Sequence, residues 1–361
     1  SNGSWVNGRR VAEHRLQDGD RVKIGGHVFA FETQTAAAPE PPPAREPVVF
    51  CERCFTTAAL AHATRSPSGG WWCPRCVDSA RELPNDLIDG FTLLRRLGHG
   101  RMGPLFLARH DALRKHVAIK ILLSERVLDR VTLQRFIREA KIGGRLYHPN
   151  IVEFYDAAQC RGTYYISMEY VEGESLRERV ERAGPLAPVE VAAIGAFVAE
   201  ALAHAHRHGV IHRNVRPENV LLGVGGEVKL GDFGFARLDE PGEPVLTPPG
   251  QPLGSLCYMP PEQFTDAHGV DERADVFGLG ATLYHALTGQ PPFLAETIEG
   301  IEENVLRGAL VPLQQARPDV PPELATTIAH CLAHQRAHRY RSADELTQAL
   351  RVAAASGQRS G

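Results

Sequence analysis

The stretch LGHGRMG at residues 97–103, followed by VAIK at residues 117–120, is the part of the sequence that decides the fold. Its glycines have the spacing G-x-G-x-x-G, and glycine lets backbone N–H groups approach a phosphate with no side chain in the way. Alone, this pattern is weak evidence, because a chance glycine cluster or a dinucleotide-binding fold gives the same letters. Further motifs follow downstream: Glu139 in a helical stretch, His212-Arg213-Asn214, Asn219, Asp232-Phe233-Gly234, Pro261-Glu262 and Asp275.

This order of motifs resembles the protein kinase family, and the bacterial Ser/Thr kinases of eukaryotic type are the most similar members. The resemblance extends over residues 90–352. It implies an α+β, bilobal kinase fold with an N-lobe over 90–168, a C-lobe over 172–352 and a frayed tail over 353–361. It also implies ATP and Mg²⁺ as cofactors, and a protein substrate or signalling partner.

The resemblance also assigns roles to individual residues. Lys120 would contact the α- and β-phosphates, and Glu139 would hold that lysine in place. An alternative for this pair is a surface ion pair worth less than about 1 kcal/mol. Asn219 and Asp232 would supply the hard oxygen ligands that Mg²⁺ prefers. The remaining nucleotide contacts would come from Gly98, Gly100, Gly103, Leu105, Ala118, Glu169, Val171, Glu174 (at the ribose) and Leu221.

The main departure from the family is Asn214, which stands where the catalytic loop normally has Asp. That Asp accepts or orients the proton of the substrate hydroxyl, whereas an amide cannot take a proton and presents NH₂ as a donor. Loss of a positioned general base costs about 10²- to 10⁴-fold in rate. Arg216 stands where the family usually has Lys beside the γ-phosphate, and the two cations differ in geometry.

Two histories fit this pattern: a deliberate Asp-to-Asn change, which the otherwise complete catalytic set favours, and a natural pseudokinase. Accordingly, we expect a Ser/Thr kinase crippled at Asn214, or a nucleotide-gated scaffold or adaptor. A small-molecule kinase is a third possibility. Ser255 and the segment around Pro261-Glu262 resemble the protein-substrate platform and argue against it.

Smaller features concern regulation and support. Thr247 is the only threonine between Asp232 and Ser255, and a phosphate on it could pair with Arg213; an unmodified, solvent-facing threonine is the alternative. Gly143 falls where the family normally has a large side chain, so we expect the helix that carries Glu139 to be loosely held. The resemblance further implies an ion pair between Arg339 and Glu262, and packing roles for His212 and Phe233.

Composition limits the possible partners. The chain has 361 residues, with 40 Lys and Arg against 43 Asp and Glu, for a net charge of −3. Nucleic-acid binding needs a basic excess, so this balance argues against it. No run of about 18 apolar residues is present, which predicts no membrane span, and residues 189–205 read as a buried helix. No export signal opens the chain, so we expect a cytoplasmic location.

The four cysteines Cys51, Cys54, Cys73 and Cys76 form two CxxC pairs separated by 18 residues. This spacing matches a four-thiolate zinc ribbon, and a module over residues 48–78 is too small to fold without such a staple. Two disulfides or unpaired thiols are the alternatives. A closed site with four sulfur ligands leaves no open position, so we expect structural Zn²⁺ with no catalytic role.

Residues 1–33 read as short strands with turn dipeptides such as Asn7-Gly8, followed by a Pro/Ala-rich linker over 34–47. The strands resemble the last part of a forkhead-associated (FHA) domain, a β-sandwich that binds phosphothreonine peptides. The Arg and Ser that hold the phosphate in that family would precede residue 1. Phosphopeptide binding is therefore expected only if a complete domain lies upstream, and a generic β-meander is the alternative.

Overall fold

The structure, a computed structural model, describes residues 4–11, 15–24, 27–31, 48–50, 57–65, 70–72, 87–100, 103–122, 130–238, 253–265 and 269–357. The chain divides into two compact units, residues 1–82 and 83–361. The four cysteines of the predicted zinc ribbon and Thr247 lie outside the described residues.

The described residues of the first unit form eight short strands in three sheets. Four of them pair antiparallel in the order β2-β1-β3-β4. Asn7 and Gly8, with φ of 50° and 80°, form the turn between β1 and β2, as an Asn-Gly pair favours. The other strands form two hairpins, β5 with β6 and β7 with β8. The bounds are β1 Ser4–Val6, β2 Arg9–Val11, β3 Arg21–Ile24, β4 His27–Ala30, β5 Val48–Phe50, β6 Thr57–Ala59, β7 Thr64–Arg65 and β8 Trp71–Trp72.

The second unit begins with a five-stranded antiparallel sheet in the order β12-β13-β11-β10-β9, accompanied by one helix, α1. Strand β11 is central and is buried along most of its length, so it carries residues into both apolar clusters of this lobe. The bounds are β9 Phe91–Gly100, β10 Gly103–His110, β11 Lys115–Leu122, α1 Arg130–Gly143, β12 Phe154–Cys160 and β13 Thr163–Glu169.

The remainder of the second unit is mainly helical and has the largest apolar core of the described residues. Small sheets lie at its edge, β14-β16-β17 and β15-β18. The strands are β14 Gly173–Ser175, β15 Val210–Ile211, β16 Val220–Gly223, β17 Val228–Leu230 and β18 Arg237–Leu238. The helices are α2 Leu176–Ala183, α3 Pro188–Arg207, α4 Pro261–Thr265, α5 Arg273–Thr288, α6 Ile298–Arg307, α7 Leu313–Ala316, α8 Pro322–Cys331 and α9 Ala343–Gly357.

Two helices bear on predictions from the sequence. Helix α3 is long and apolar enough to cross a membrane, but 61% of its most apolar window is buried against the rest of the lobe, as in the core helix of a folded domain. Helix α9 continues to Gly357, with Ala353 buried, so the prediction of a frayed tail from residue 353 was wrong. The run of alanines there favours helix, and one of them packs on the core.

The predicted ion pair between Arg339 and Glu262 is present. The guanidinium of Arg339 donates to both carboxylate oxygens, at 2.6 and 2.9 Å, and its side chain is fully buried. It also donates to three backbone carbonyls, those of Arg273, Ala333 and His334. This arrangement ties the start of α5 to the segment before α9. Three cysteines lie outside the CxxC pairs: Cys257 and Cys331 are buried, whereas Cys160 is half-buried.

Candidate active site

A cavity of about 510 Å³ lies between the five-stranded sheet and the helical lobe. Most of the predicted nucleotide contacts line it, and Gly103 does not. Gly103 instead lies in β10 close beside β11, its neighbour in the sheet, and a Cβ there would overlap the backbone of Ile121. The predicted residues that do line the cavity are Gly98, Leu105, Ala118, Lys120, Glu169, Val171, Glu174, Asn219, Leu221 and Asp232.

The charged centre of the cavity joins three elements. Lys120 on β11 donates from Nζ to both carboxylate oxygens of Glu139 on α1, each at 2.8 Å, and to Oδ1 of Asp232 at 3.3 Å. Glu139 is 1% exposed. Burial alone would lower the pKa of Lys120, but the two carboxylates outweigh it and raise that pKa. The lysine therefore stays protonated, as a phosphate-binding group must.

Asp232 occupies a left-handed backbone conformation, with φ of 59°. Burial alone would raise the pKa of its carboxyl, but the neighbouring Lys120 ammonium outweighs it and lowers that pKa. The carboxylate is therefore ionised and faces the cavity with its side chain about one-third exposed. An ionised carboxylate beside an amide oxygen is a donor set that suits Mg²⁺.

Buried side chains fix both the backbone just before Asp232 and the loop that begins at His212. The rings of His212 and Phe233, both fully buried, pack edge to face with centroids 4.6 Å apart. His212 donates from Nε2 to the backbone oxygen of Gly231 at 3.0 Å. Buried Asp275 on α5 accepts the backbone N–H groups of His212 and Arg213 at 2.8 and 2.7 Å. These contacts give His212 and Phe233 packing roles and set the position of the loop that follows.

Asn214 lies in the middle of that loop, between β15 and the 3₁₀ turn at Pro217–Asn219, and its amide reaches a carboxylate that lines the cavity. Its Nδ2 donates to Oδ2 of Asp232 at 3.4 Å. Asn219 donates from its own Nδ2 to the backbone oxygen of Asn214 at 2.7 Å, which orients the Asn219 side chain with its amide nitrogen toward the loop. The amide of Asn214 thus acts as a donor to a carboxylate. An Asp at this position would instead be an acceptor for a substrate proton.

Arg216 does not stand alone at the predicted γ-phosphate position. Its guanidinium makes a two-pronged ion pair with Glu218, from Nε at 2.7 Å and from Nη2. Glu218 also accepts from Arg177 of α2 at 3.1 Å. Both Glu218 and Arg177 line the cavity, and neither was predicted as a site residue. Their signal in the sequence is weak, because opposite charges on separate surface segments are common.

The predicted ribose contact, Glu174, is already occupied by arginines of α2. Arg182 donates to both of its carboxylate oxygens, at 2.6 and 3.0 Å, and Arg179 lies 3.6 Å away. The hydrogen bond from Arg182 is the main cause of a lowered pKa at Glu174. The carboxylate still lines the cavity, so a nucleotide would have to share it with Arg182.

The segments predicted to meet the substrate hydroxyl, here called the acceptor side, include Ser255. This residue is buried in a 3₁₀ turn over Leu253–Tyr258. Tyr258 of the same turn donates from its hydroxyl to Nδ1 of His285 on α5, at 2.5 Å. Burial lowers the pKa of His285 to about 4, so the imidazole is neutral at physiological pH and can accept this hydrogen bond. The pair was not predicted, because the two residues are 27 positions apart.

Gly143, the last residue of α1, is not a gap in the packing. The ring of Phe154 from β12 occupies the space where a side chain at residue 143 would lie. Residue Ile142 beside it is fully buried. The expectation that missing bulk leaves this helix loosely held is therefore not matched by the packing.

Comparison with known proteins finds similarity over both ends of the chain. A model of the protein kinase domain matches residues 91–350, and a model of the FHA domain matches residues 1–25. The chain is 38% identical over 268 residues to the serine/threonine-protein kinase PknB of Mycolicibacterium smegmatis. It is 35% identical over 265 residues to PrkC of Bacillus subtilis, and 37% over 257 residues to PknD of Mycobacterium tuberculosis, both serine/threonine-protein kinases.

These matches cover 73%, 73% and 71% of the chain but only 43%, 40% and 38% of the three relatives. The similarity therefore spans less than half the length of the curated relatives.

Proposed function

Because this chain belongs to the protein kinase family, as a match over residues 91–350 shows, we propose that it binds Mg–ATP in the cavity beside Lys120. By family it is a protein Ser/Thr kinase that would transfer the γ-phosphate to protein Ser or Thr. We further propose that Asn214 makes this transfer slow or abolishes it. A protein substrate or signalling partner follows from the same family membership.

The observation that carries the proposal is the buried contact of Lys120 with Glu139 and Asp232, next to the amide of Asn214. The lysine ammonium would neutralise phosphate charge, and Glu139 would keep it aimed into the cavity. Asp232 and Asn219 would hold Mg²⁺, which when bound neutralises charge on the phosphates. Proton transfer from an acceptor hydroxyl then has no carboxylate at position 214 to assist it.

Nucleotide binding can be tested by titrating the chain with a fluorescent ATP analogue, with and without Mg²⁺. We expect saturable binding that Mg²⁺ strengthens at least tenfold, and we expect Asp232→Asn to remove most of that dependence. Asp111→Asn is the matched control, because Asp111 is a hydrogen-bonded carboxylate outside the cavity. No binding by the parent chain, or equal Mg²⁺ dependence in both variants, would contradict the proposal.

The second candidate function is a nucleotide-gated scaffold or adaptor of the same fold. The hydrogen bond from Asn214 to Asp232 favours it, because that contact is compatible with a stable site that does no chemistry. The two functions separate on Asn214→Asp: an enzymatic lineage gains a large transfer rate, whereas a scaffold binds nucleotide in both forms and labels no protein in either.

We also propose that the two CxxC pairs hold a structural Zn²⁺. Cys51 directly follows β5 and Cys73 directly follows β8, and these two strands are neighbours in space. Each CxxC pair would thus supply two of the four thiolates. Metal analysis of the purified chain tests this: about one zinc per chain is expected, and Cys51→Ser with Cys73→Ser should lose it. Thiol ligands of this kind suit a reducing compartment such as the cytoplasm.

The FHA-like segment supports a weaker proposal, that a complete domain containing these strands binds phosphothreonine peptides. The match over residues 1–25 and the four-stranded sheet are its support. Fluorescence anisotropy of the longest available chain with phosphothreonine and unmodified peptides tests it. Equal affinity for both peptides would contradict it.

A further inference from the structure

Position 143 has room for the ring of Phe154 only because glycine has no side chain. A Cβ built on Gly143 would lie within 3.0 Å of Cγ, Cδ1 and Cδ2 of the Phe154 ring, a separation that real Cβ atoms essentially never show. The overlapping atoms are at the base of the ring, so a small rotation of its far end would not relieve the overlap. The neighbouring Gly144 differs, because its Cβ would meet only ordinary contacts, at 3.4 and 4.0 Å.

Both partners lie next to the charged centre of the cavity. Gly143 is one helical turn after Glu139 on α1. Phe154 begins β12, pairs with Met168 of β13, and packs in the apolar cluster that includes Phe136 of α1. Met168 itself lines the cavity. The ring therefore connects the sheet that carries Lys120 to the helix that carries Glu139.

We infer that Phe154 is a positioning residue that sets how closely α1 approaches the sheet, and that Gly143 is required to admit its ring. The inference deepens the proposed nucleotide-binding function and rests on it for its affinity measurement. The strand supplies the ring, and the helix supplies the space for it. The distance between Lys120 and Glu139 is then a consequence of this matched pair.

Two adjacent glycines give a matched contrast for the test. Gly143 is the last residue of α1, and Gly144 follows it and donates its N–H to the carbonyl of Ala140, so alanine at either position favours the helix end only slightly by propensity. The overlap with Phe154 affects only Gly143→Ala. Opposite outcomes for the two variants would identify the ring as the cause.

The experiment measures the dissociation constant for the fluorescent ATP analogue with Mg²⁺, and amide hydrogen exchange over residues 130–143 without nucleotide. We expect Gly143→Ala to weaken binding tenfold or more and to speed exchange in α1 at least tenfold, and Gly144→Ala to change neither by more than threefold. The double variant Gly143→Ala with Phe154→Ala removes all three overlapping ring atoms and should recover binding to within threefold of the parent.

Should Gly143→Ala fail to fold, Phe154→Ala alone tests the same contact: we expect faster exchange in α1 and weaker nucleotide binding, with the urea midpoint showing a folded chain. Parent-like exchange and binding in Gly143→Ala, or no recovery in the double variant, would overturn the inference. If the parent binds no nucleotide at all, the proposed function fails, and the exchange rates of α1 still decide the role of Phe154.

Discussion

The two sides of the cavity are held by different chemistry. On the nucleotide side, Lys120 is buried in an ion pair with Glu139 and reaches Asp232. On the acceptor side, neutral His285 accepts the hydroxyl of Tyr258, whose ring centroid lies 5.9 Å from the guanidinium carbon of Arg216 in the loop that carries Asn214. The first set suits binding of a charged ligand; for the second, we propose that Asn214 leaves it without the base that would move a proton.

We propose from this difference that nucleotide binding and phosphate transfer depend on residues from separate elements. The nucleotide side is built by β11, α1 and the segment at Asp232, and the acceptor side by the loop at Asn214, the turn before α4, and α5. The two sides meet at the hydrogen bond from Asn214 to Asp232, so a change at either of these residues affects both sides, whereas a change elsewhere leaves the other side's contacts in place. The following variants test this separation, in order of decreasing expected effect.

Lys120→Met should have the largest effect on stability. It leaves Glu139 buried with no cation beside it, and breaking a buried pair in this way costs about 3–5 kcal/mol. Urea unfolding at pH 7 measures the loss. Lys115→Met is the matched control, because Lys115 lies on the same strand with its ammonium at the exposed hydroxyl of Tyr155. Similar losses in both variants would remove the special role of the buried pair.

His285→Gln should change the pH dependence of stability. The folded-state pKa of His285, about 4, lies below the unfolded value near 6.5, so the unfolded chain binds a proton first as the pH falls. The contribution of the neutral imidazole to the free energy of unfolding is fully present above about pH 6.5. On the order of 3 kcal/mol of it is lost as the pH falls toward 4. Gln can still accept from Tyr258 but does not titrate near these values.

The difference in unfolding free energy between parent and His285→Gln, measured from pH 7.5 to 4.5, should therefore shrink or reverse as the pH falls. A constant difference across this range would show that the acceptor side is not held by a neutral imidazole.

Asn214→Asp should lower stability in the absence of Mg²⁺ by about 1 kcal/mol, because it places a second carboxylate 3.4 Å from that of Asp232 in a partly exposed site. Mg²⁺ should restore the loss, since it neutralises both groups. Thermal unfolding with and without Mg²⁺ measures this loss of stability. A loss that is the same with and without Mg²⁺ would contradict the proposed link between the two sides.

Arg182→Ala should have the smallest effect. It frees Glu174 from an exposed ion pair, and such pairs contribute little to stability because solvent screens them. The dissociation constant for the ATP analogue should move by less than about threefold, toward tighter binding if Glu174 contacts the ribose. A larger change would mean that α2 controls access to the cavity.

Motif residues were predictable from the sequence, because their chemistry demands a residue type at a fixed spacing along the chain. Lys120, Glu139, Asn219 and Asp232 come together as expected. Contacts across elements were not predictable. The match between Gly143 and Phe154 depends on how a helix end meets a strand, and neither residue type signals it alone.

Two other kinds of feature were not predicted from the sequence: pairings between polar residues of different segments, and the end of one helix. The hydrogen bond from Tyr258 to His285 and the pairing of Arg216 with Glu218 depend on packing between segments, and local charge patterns do not specify them. The end of α9 at Gly357 was missed because an alanine-rich tail was read as frayed, although alanine favours helix and Ala353 is buried.

The central claim is that the chain keeps a working nucleotide site and has lost the group that steers the acceptor hydroxyl. Its most direct test is single-turnover transfer of radiolabelled phosphate from Mg–ATP to protein, by the parent chain and by Asn214→Asp at saturating nucleotide. We predict that the variant transfers at least about 100-fold faster, while its affinity for Mg–ATP stays within about tenfold. Rapid transfer by the parent, or equal rates in the two proteins, would contradict the account.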